Sequence, residues 1–211
     1  CNYYQTKMSK GAYFPIIRDE QKLLKDLDKA QSAGEELIIK NNLQNKKIII
    51  FVGRLVPVKN IGAIFKAINR IDRDDFIVTI IGDGELRKEL ETEAKDSKHR
   101  IIFTGNLTGI DLLAWYKIAH ALILPSWQEA FGAVVNEAMV ANCIPIVSKR
   151  AGSINLIEDG KNGYIFDPND DAALAKAIET VLDIAETEKS KRNLMSITFD
   201  ECANNIKNIV Q

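Results

Sequence analysis

The sequence predicts a doubly wound α/β domain built on a parallel sheet, and three observations predict it. Short apolar runs of strand length alternate with longer stretches of helical period along most of the chain. Most of the apolar runs lack polar alternation, which marks strands covered by helices on both faces. The stretches that join them are short, so each strand–helix–strand unit closes right-handed and lays its strands parallel.

Residues 1–18 show no clean period, interrupted as they are by Gly11 and Pro15, and read as a linker or interdomain remnant. The domain itself is expected over 19–195. Asp19 is placed to cap a helix over Glu20 to Lys40, in which Leu23, Leu24, Leu27, Ala30 and Leu37 recur at roughly helical spacing and Gly34 costs about 1 kcal/mol. Lys47 to Gly53 is the first strand, and Asn60 to Ile71 the helix after it. Phe76 to Gly82 is a strand and Glu85 to Ser97 a charged amphipathic helix. Arg100 to Gly105 is a strand, and Thr108 to Ala119 a helix with Thr108 and Asp111 spaced as a capping box. Ala121 to Leu124 is a buried strand, followed by a loop, a short helix opening near Phe131, and a second buried strand at Ile144 to Ser148. Gly163 to Phe166 is a last short strand, Asp170 to Ile184 a helix opened by acidic residues, and 196–211 a C-terminal helix.

Composition excludes several classes. Of 211 residues 46% are hydrophobic and 27% charged, and the formal net charge is −1, so no global field favours nucleic acid or an anionic membrane. No apolar run approaches the ~20 residues that span a bilayer. Cys1, Cys143 and Cys202 are scattered and form no CxxC, which fits neither a disulfide frame nor a zinc site and suits reducing, cytoplasmic surroundings; Cys143 reads as a small core residue. No histidine or acidic cluster has metal-ligand spacing, and His99 and His120 read as structural or solvated. No phosphate loop of the form GxxxxGKS or GxxxxGKT is present. No signal peptide is visible; the chain opens at Cys1 with its first Met at Met8, and is read as part of a longer protein.

The richest stretch is Pro125 to Val147, PSWQEAFGAVVNEAMVANCIPIV, which holds Glu129 and Glu137 with seven residues between them. Eight helical steps turn by about 80° beyond whole turns, so both carboxylates are expected to look toward one side. The amides of Phe131, Gly132 and Ala133 are expected to point out of the helix start, where an anion is favoured. Free donors, partial positive charge and two acceptor-only carboxylates suit a ligand carrying both phosphate and hydroxyls, and a nucleotide sugar is one. Trp127, Ala130 and Phe131 surround Glu129 with apolar bulk. Trp115 and Tyr116 share a helix with Leu112, Leu113 and Ile118 and read as core.

In an open α/β sheet the ligand binds beyond the carboxyl ends of the strands, and the unusual residues gather there. Gly53, Arg54 and Lys59 follow the first strand; Gly82, Asp83 and Gly84 the second; Gly105 and Asn106 the third; Pro125, Ser126 and Glu129 the fourth; Ser148, Arg150 and Gly152 the fifth. Arg54 and Lys59 are either solvated loop charges or a clamp on a diphosphate, the arginine by a bidentate fork and the lysine as a point charge. Gly82-Asp83-Gly84 begins like a dinucleotide fingerprint, but Arg87 stands where its third glycine would be, and a tight turn is enough to explain it.

FVGRLVPVKNI (Phe51 to Ile61), IIGDGELRKEL (Ile80 to Leu90), FTGNL (Phe103 to Leu107) and the paired-glutamate stretch resemble the C-terminal domain of family 4 glycosyltransferases, retaining enzymes of the GT-B fold. The likeness runs from about Lys47 to Leu182. It implies a Rossmann-like domain, one half of a GT-B fold. It implies that Arg54 and Lys59 hold the donor diphosphate and stabilise the leaving nucleotide. It implies that Glu129 meets the donor sugar's hydroxyls, that amides at Phe131 and Gly132 touch sugar and phosphate, and that Glu137 bonds the ribose. Asn106 and Leu107 match the loop against which the base sits; Gly53 and Gly84 complete the donor-binding set, in which Arg54, Lys59 and Glu129 are the catalytic residues. Ala130 stands where the family often has glycine, which stiffens the loop.

The activity so implied is transfer of a glycosyl group from a nucleotide-diphosphate sugar, with retention, to a carbohydrate or glycolipid acceptor held by an N-terminal domain that this sequence lacks. The isolated chain is then expected to bind nucleotide weakly and to be inactive. Neither cofactor nor metal is expected, since the basic pair takes the place of a divalent cation. Nucleic acid is not expected as a partner, and any peripheral membrane contact is expected through the absent domain. Family context points to polysaccharide or glycolipid assembly. The alternatives are a GT-B-type nucleotide-sugar epimerase and a non-catalytic nucleotide-sugar-binding module.

Overall fold

The apolar runs form six strands: β1 (Lys47–Val52), β2 (Phe76–Ile81), β3 (Ile101–Gly105), β4 (Ala121–Leu124), β5 (Ile144–Ser148) and β6 (Tyr164–Phe166). In the computed structural model, which describes residues 19–185, 194–195 and 201, every strand pairing is parallel and the order is β3-β2-β1-β4-β5-β6. β2, β4 and β5 are buried along their whole length, while edge strand β3 is half-buried throughout. This agrees with runs that lack polar alternation.

The helices are α1 (Glu20–Lys29), α2 (Gln31–Lys40), α3 (Gly62–Ile68), α4 (Arg87–Glu93), α5 (Gly109–Ile118), α6 (Ala133–Val140) and α7 (Asp171–Leu182). Six of them fall into two packed groups, α3 with α7, and α1 with α2, α5 and α6. Right-handed crossovers put such groups on opposite faces of the sheet once the strand order reverses. Between them lies one core that includes Ile50, Phe51, Ile64, Ile80, Leu122, Val135, Ile146 and Ile178. Cys143 is buried in it, as the sequence indicated, and so are Trp115 and Tyr116. His99 stacks on Phe76 with ring centroids 4.6 Å apart, and His120 Nε2 lies 3.1 Å from the Val181 carbonyl oxygen; both are structural.

Four local expectations need correction. The single helix over Glu20 to Lys40 is two helices that meet at Ala30, although Asp19 does cap the first by accepting from the Lys22 amide. Gly34, expected only to weaken that stretch, lies where α2 meets α5: a Cβ there would stand 2.9 Å from Ile118 Cγ2, so the missing side chain lets two helices approach. Thr108 occupies the N-cap of α5 in extended conformation, but no side-chain capping bond forms. An aspartate three residues on is shorter than the Glu or Gln that closes a capping box. The helix expected to open near Phe131 starts at Ala133, with Gly132 at its N-cap in the left-handed region (φ 68°). The linker over 1–18 and, Glu201 apart, the C-terminal helix over 196–211 lie outside the described residues.

Candidate functional site

From β1 the chain runs through β2 to β3 on one side of the sheet; from β4 it runs through β5 to β6 on the other. β1 and β4 are neighbours, with Ile49 opposite Ala121 and Ile50 opposite Leu122, so the strand order reverses between them. Loops diverge at such a switch point and leave a crevice beyond the strands' carboxyl ends. Two of the residues picked from sequence meet there. Lys59, at the end of the 3₁₀ turn Pro57–Lys59 after β1, makes an ion pair with Glu129, which follows β4. Both side chains are 17% exposed, mostly withdrawn from water yet still reachable.

Two contacts lock the two loops together, and a third ties them to the segment after β6. The Trp127 amide donates to the Val58 carbonyl at 2.9 Å. Asn60, held in the left-handed region (φ 52°), donates through Nδ2 to the carbonyl oxygens of Pro125 at 3.2 Å and Pro168 at 3.4 Å. On the far side, Glu129 forms a parallel bridge with Ala151, and the Gly152 amide donates to the Glu129 carbonyl at 2.7 Å. A Cβ on Gly152 would fall 1.9 Å from the Ala130 carbonyl oxygen, so glycine is required for this approach. The Arg150 guanidinium, next to this bridge, sits 5.6 Å from the Trp127 ring centroid, within cation–π range.

The position of Glu129 therefore comes from strand-like pairing with the segment after β5. The helical rotation invoked from sequence does not apply, because α6 begins four residues later. Glu137 lies on α6, half-buried, and its Oε2 accepts from the Tyr116 hydroxyl at 3.0 Å. With the helix start shifted, the amides that open it are those of Ala133 and Val134, since the Val135 amide already donates to the Gly132 carbonyl. Phe131 lies outside the helix, 57% exposed.

The other predicted residues fall as follows. A Cβ on Gly53 would be 3.9 Å from Lys59 Cε, which places this glycine beside the pair. Arg54 is exposed and makes no ion pair among the described residues. Gly84 backs onto Leu55, where a Cβ would come 2.4 Å from the carbonyl oxygen; this is the tight turn expected, with the Gly84 amide bonded to Asp83 Oδ1 at 2.7 Å. Asn106 is exposed beyond the end of β3 and Leu107 packs against the core. Neither is joined to the Lys59–Glu129 pair by a hydrogen bond among the described residues. The structure thus unites Gly53, Lys59 and Glu129 directly, and sets Arg54, Gly84, Asn106, Leu107, Phe131, Gly132 and Glu137 on the segments that leave the same edge of the sheet.

Sequence reasoning missed three parts of the site. Asn60 was read only as a helix start; its signal was an asparagine just before a helix, a residue that tolerates left-handed backbone. Tyr116 was read as core, and nothing local links it to Glu137. The Ser153 hydroxyl is buried without a hydrogen-bond partner among the described residues, as is that of Ser126, which the sequence had placed at this rim, and Ser153 Oγ lies 2.6 Å from where a Cβ on Gly132 would be.

The family model for glycosyl transferases group 1 matches residues 34–194, a span that takes in every element of the site. The chain belongs to this family. Among curated proteins it is 29% identical over 173 residues to an alpha-1,4-N-acetyl-D-galactosaminyltransferase of Campylobacter jejuni, whose full name includes diNAcBac-PP-undecaprenol; the match covers 80% of this chain and 47% of that protein. It is 30% identical over 155 residues to a sulfoquinovosyl transferase of Arabidopsis thaliana, covering 72% and 29%. The chain thus spans half or less of the length of these relatives. Among solved structures it is similar to an alpha,alpha-trehalose-phosphate synthase (UDP-forming) from Burkholderia xenovorans, with a TM-score of 0.78 at 18% identity over 95% of this chain and 51% of that one. It is also similar to Anabaena HepE in complex with UDP and glucose, with a TM-score of 0.75 at 21% identity over 93% and 56%. At these identities the likeness is one of fold: a Rossmann-like sheet, one half of a GT-B fold. Among the described residues no helix is long and apolar enough to cross a membrane, and no group of three or more His, Cys, Asp or Glu is placed to hold a metal ion.

Proposed function

We propose that residues 19–195 of this glycosyl transferases group 1 chain are the donor-binding, C-terminal domain of a family 4 retaining glycosyltransferase. In this reading the whole protein carries an N-terminal domain that holds a carbohydrate or glycolipid acceptor, and works in the cytoplasm or at the inner membrane face. The observation that carries the reading is the Lys59–Glu129 pair at the switch point of the sheet. It sets a cation and an acceptor-only carboxylate side by side, where a ligand with a diphosphate and sugar hydroxyls satisfies both.

Transfer breaks the anomeric C–O bond while negative charge grows on the departing diphosphate. Fixed positive groups aimed at that charge stabilise the transition state, and one such donor is worth about 10²–10³ in rate. Arg54 and Lys59 are assigned this task, Glu129 the orientation of the donor sugar, and Glu137 the ribose. Amides at Phe131, Gly132 and the start of α6 are assigned to sugar and phosphate, Gly53 and Gly84 to close backbone approach, and Asn106 and Leu107 to the base. With two cations on the diphosphate, a divalent ion is not needed. The relatives are named as transferases, which favours transfer over the epimerase and the non-catalytic module.

Calorimetric titration with UDP, GDP and ADP tests the binding site; UDP comes first because one structural neighbour holds it. Binding of one of the three, weakened by Lys59→Ala, is the expected result, and no binding of any would overturn the reading. Transfer by the full-length protein is expected to persist in excess chelator and to yield a product with the donor's anomeric configuration. The 211-residue chain alone is expected to transfer nothing.

A further inference from the structure

We infer that Tyr116 is a positioning residue for nucleotide recognition: its phenol holds the Glu137 carboxylate in the orientation that receives the ribose hydroxyls. This rests on the proposed assignment of Glu137 to the ribose. Tyr116 is fully buried near the end of α5. Its ring has no room to swing, so its Oη is a fixed point. Oη lies 3.0 Å from Glu137 Oε2 and 3.5 Å from the Val134 carbonyl oxygen. A phenol has one proton to donate, and the shorter, charge-assisted bond takes it.

The consequence for Glu137 is geometric. Its side chain is half-buried on the second turn of α6, and a glutamate at such a place keeps several rotamers unless something selects one. The bond from this buried donor favours one carboxylate plane among those the rotamers allow. Two neighbouring ribose hydroxyls demand acceptors in a fixed plane, so the bond makes recognition of the diol sharper than a free glutamate would. The base and the diphosphate gain nothing from it. Tyr116 therefore acts on the distinction between ribose and deoxyribose, and leaves the rest of the nucleotide's affinity alone.

The test is titration of the full-length protein with UDP, GDP and ADP and with their 2′,3′-dideoxy forms, using the wild type, Tyr116→Phe and Glu137→Ala. The wild type is expected to prefer the ribonucleotide. Tyr116→Phe is expected to lower ribonucleotide affinity about tenfold, the size of one hydrogen bond to a charged group, with dideoxy affinity unchanged. Glu137→Ala is expected to abolish the preference. If Tyr116→Phe weakens both nucleotide forms equally, or leaves the preference intact while Glu137→Ala removes it, the positioning role is overturned and the assignment of Glu137 stands. If Glu137→Ala leaves the preference intact, or no diphosphate binds, the underlying assignment fails and the inference falls with it. Should Tyr116→Phe not fold, the structure of the wild-type nucleoside diphosphate complex decides: Glu137 bonded at once to Tyr116 and the ribose supports the role, and Glu137 turned away from Tyr116 overturns it.

Discussion

Lys59 and Glu129, 70 residues apart in sequence, are joined by an ion pair across the point where the strand order of the sheet reverses. Each is largely withdrawn from water, and each neutralises the other. In the proposed assignment, a nucleotide sugar exchanges this contact for two new ones, diphosphate on the lysine and sugar hydroxyl on the glutamate. A nucleoside diphosphate without its sugar offers a partner only to the lysine and leaves Glu129 as a competitor.

That competition predicts opposite effects of one substitution. Glu129→Gln keeps the shape of the side chain and removes its charge, which frees Lys59. Affinity for the nucleoside diphosphate is expected to rise about tenfold, since a partly buried charged contact of about 1.5–3 kcal/mol no longer opposes it. Transfer from the sugar nucleotide is expected to fall about 10²–10³-fold, because a group aimed at the reacting sugar has lost its charge. Calorimetry with the diphosphate and initial rates with the sugar nucleotide measure the two effects. A parallel loss of both would refute the competition and show that the Glu129 charge holds Lys59 in its working position.

Arg54 differs from Lys59 in having no counter-ion among the described residues and in being exposed. Its removal costs the fold little: Arg54→Ala is expected to change stability by no more than about 0.5 kcal/mol. Diphosphate affinity is expected to fall about tenfold or more, through loss of a charge-assisted fork, and the salt dependence of binding is expected to flatten because an exposed charge is the one most screened. Titrations at two ionic strengths, beside a denaturant melt, separate the two effects.

The architecture was legible because it depends on short-range patterns. KIIIFV, FIVTII and IPIVS are apolar but for one residue each and show no polar alternation, and runs of that kind have few places to go but the middle of a parallel sheet. The residues at the strand ends were legible for the same reason, since parallel strands carry all their carboxyl ends to one edge. Contacts set by tertiary pairing were not legible. Glu129 owes its place to a bridge with Ala151, Asn60 to the carbonyls of Pro125 and Pro168, and Tyr116 to a glutamate on the next helix; no local period encodes any of these. The break at Ala30 belongs with them, because α1 and α2 each follow their own packing against α5.

Asn60 combines two tasks that separate variants can divide. Its backbone is left-handed, which costs most L-residues about 1–2 kcal/mol, and its amide ties together the loops after β1, β4 and β6. Asn60→Gly relieves the backbone and removes the tie; Asn60→Ala loses both. Asn60→Ala is expected to destabilise by about 2–3 kcal/mol and Asn60→Gly by about 1 kcal/mol. Both are expected to weaken diphosphate binding, because Lys59 directly precedes the residue that is tied. Equal stability of the two variants, measured by urea unfolding, would refute the division.

Away from the site, Arg73 binds both oxygens of Asp75, at 2.6 and 2.7 Å, and Asp183 at 2.8 Å, and so links the start of β2 to the C-terminal end of α7. Hydrogen bonds from Arg73, more than its charge at a distance, hold the Asp75 carboxyl below its ordinary value of 3.8. A carboxyl lowered in the folded state contributes stability above its unfolded value, and loses that contribution as the pH falls through the folded one. Arg73→Ala is therefore expected to destabilise at neutral pH by about 1 kcal/mol, a figure kept small because solvent screens half-exposed pairs. The gap between wild type and variant is expected to stay constant from pH 7 down to about pH 5 and to close progressively below the ordinary carboxylate range, as Asp75 takes up its proton. Urea unfolding of both proteins at intervals between pH 7 and pH 3 measures this, and a gap that stays unchanged through the acid range would show that the arginine stabilises by packing of its stem instead.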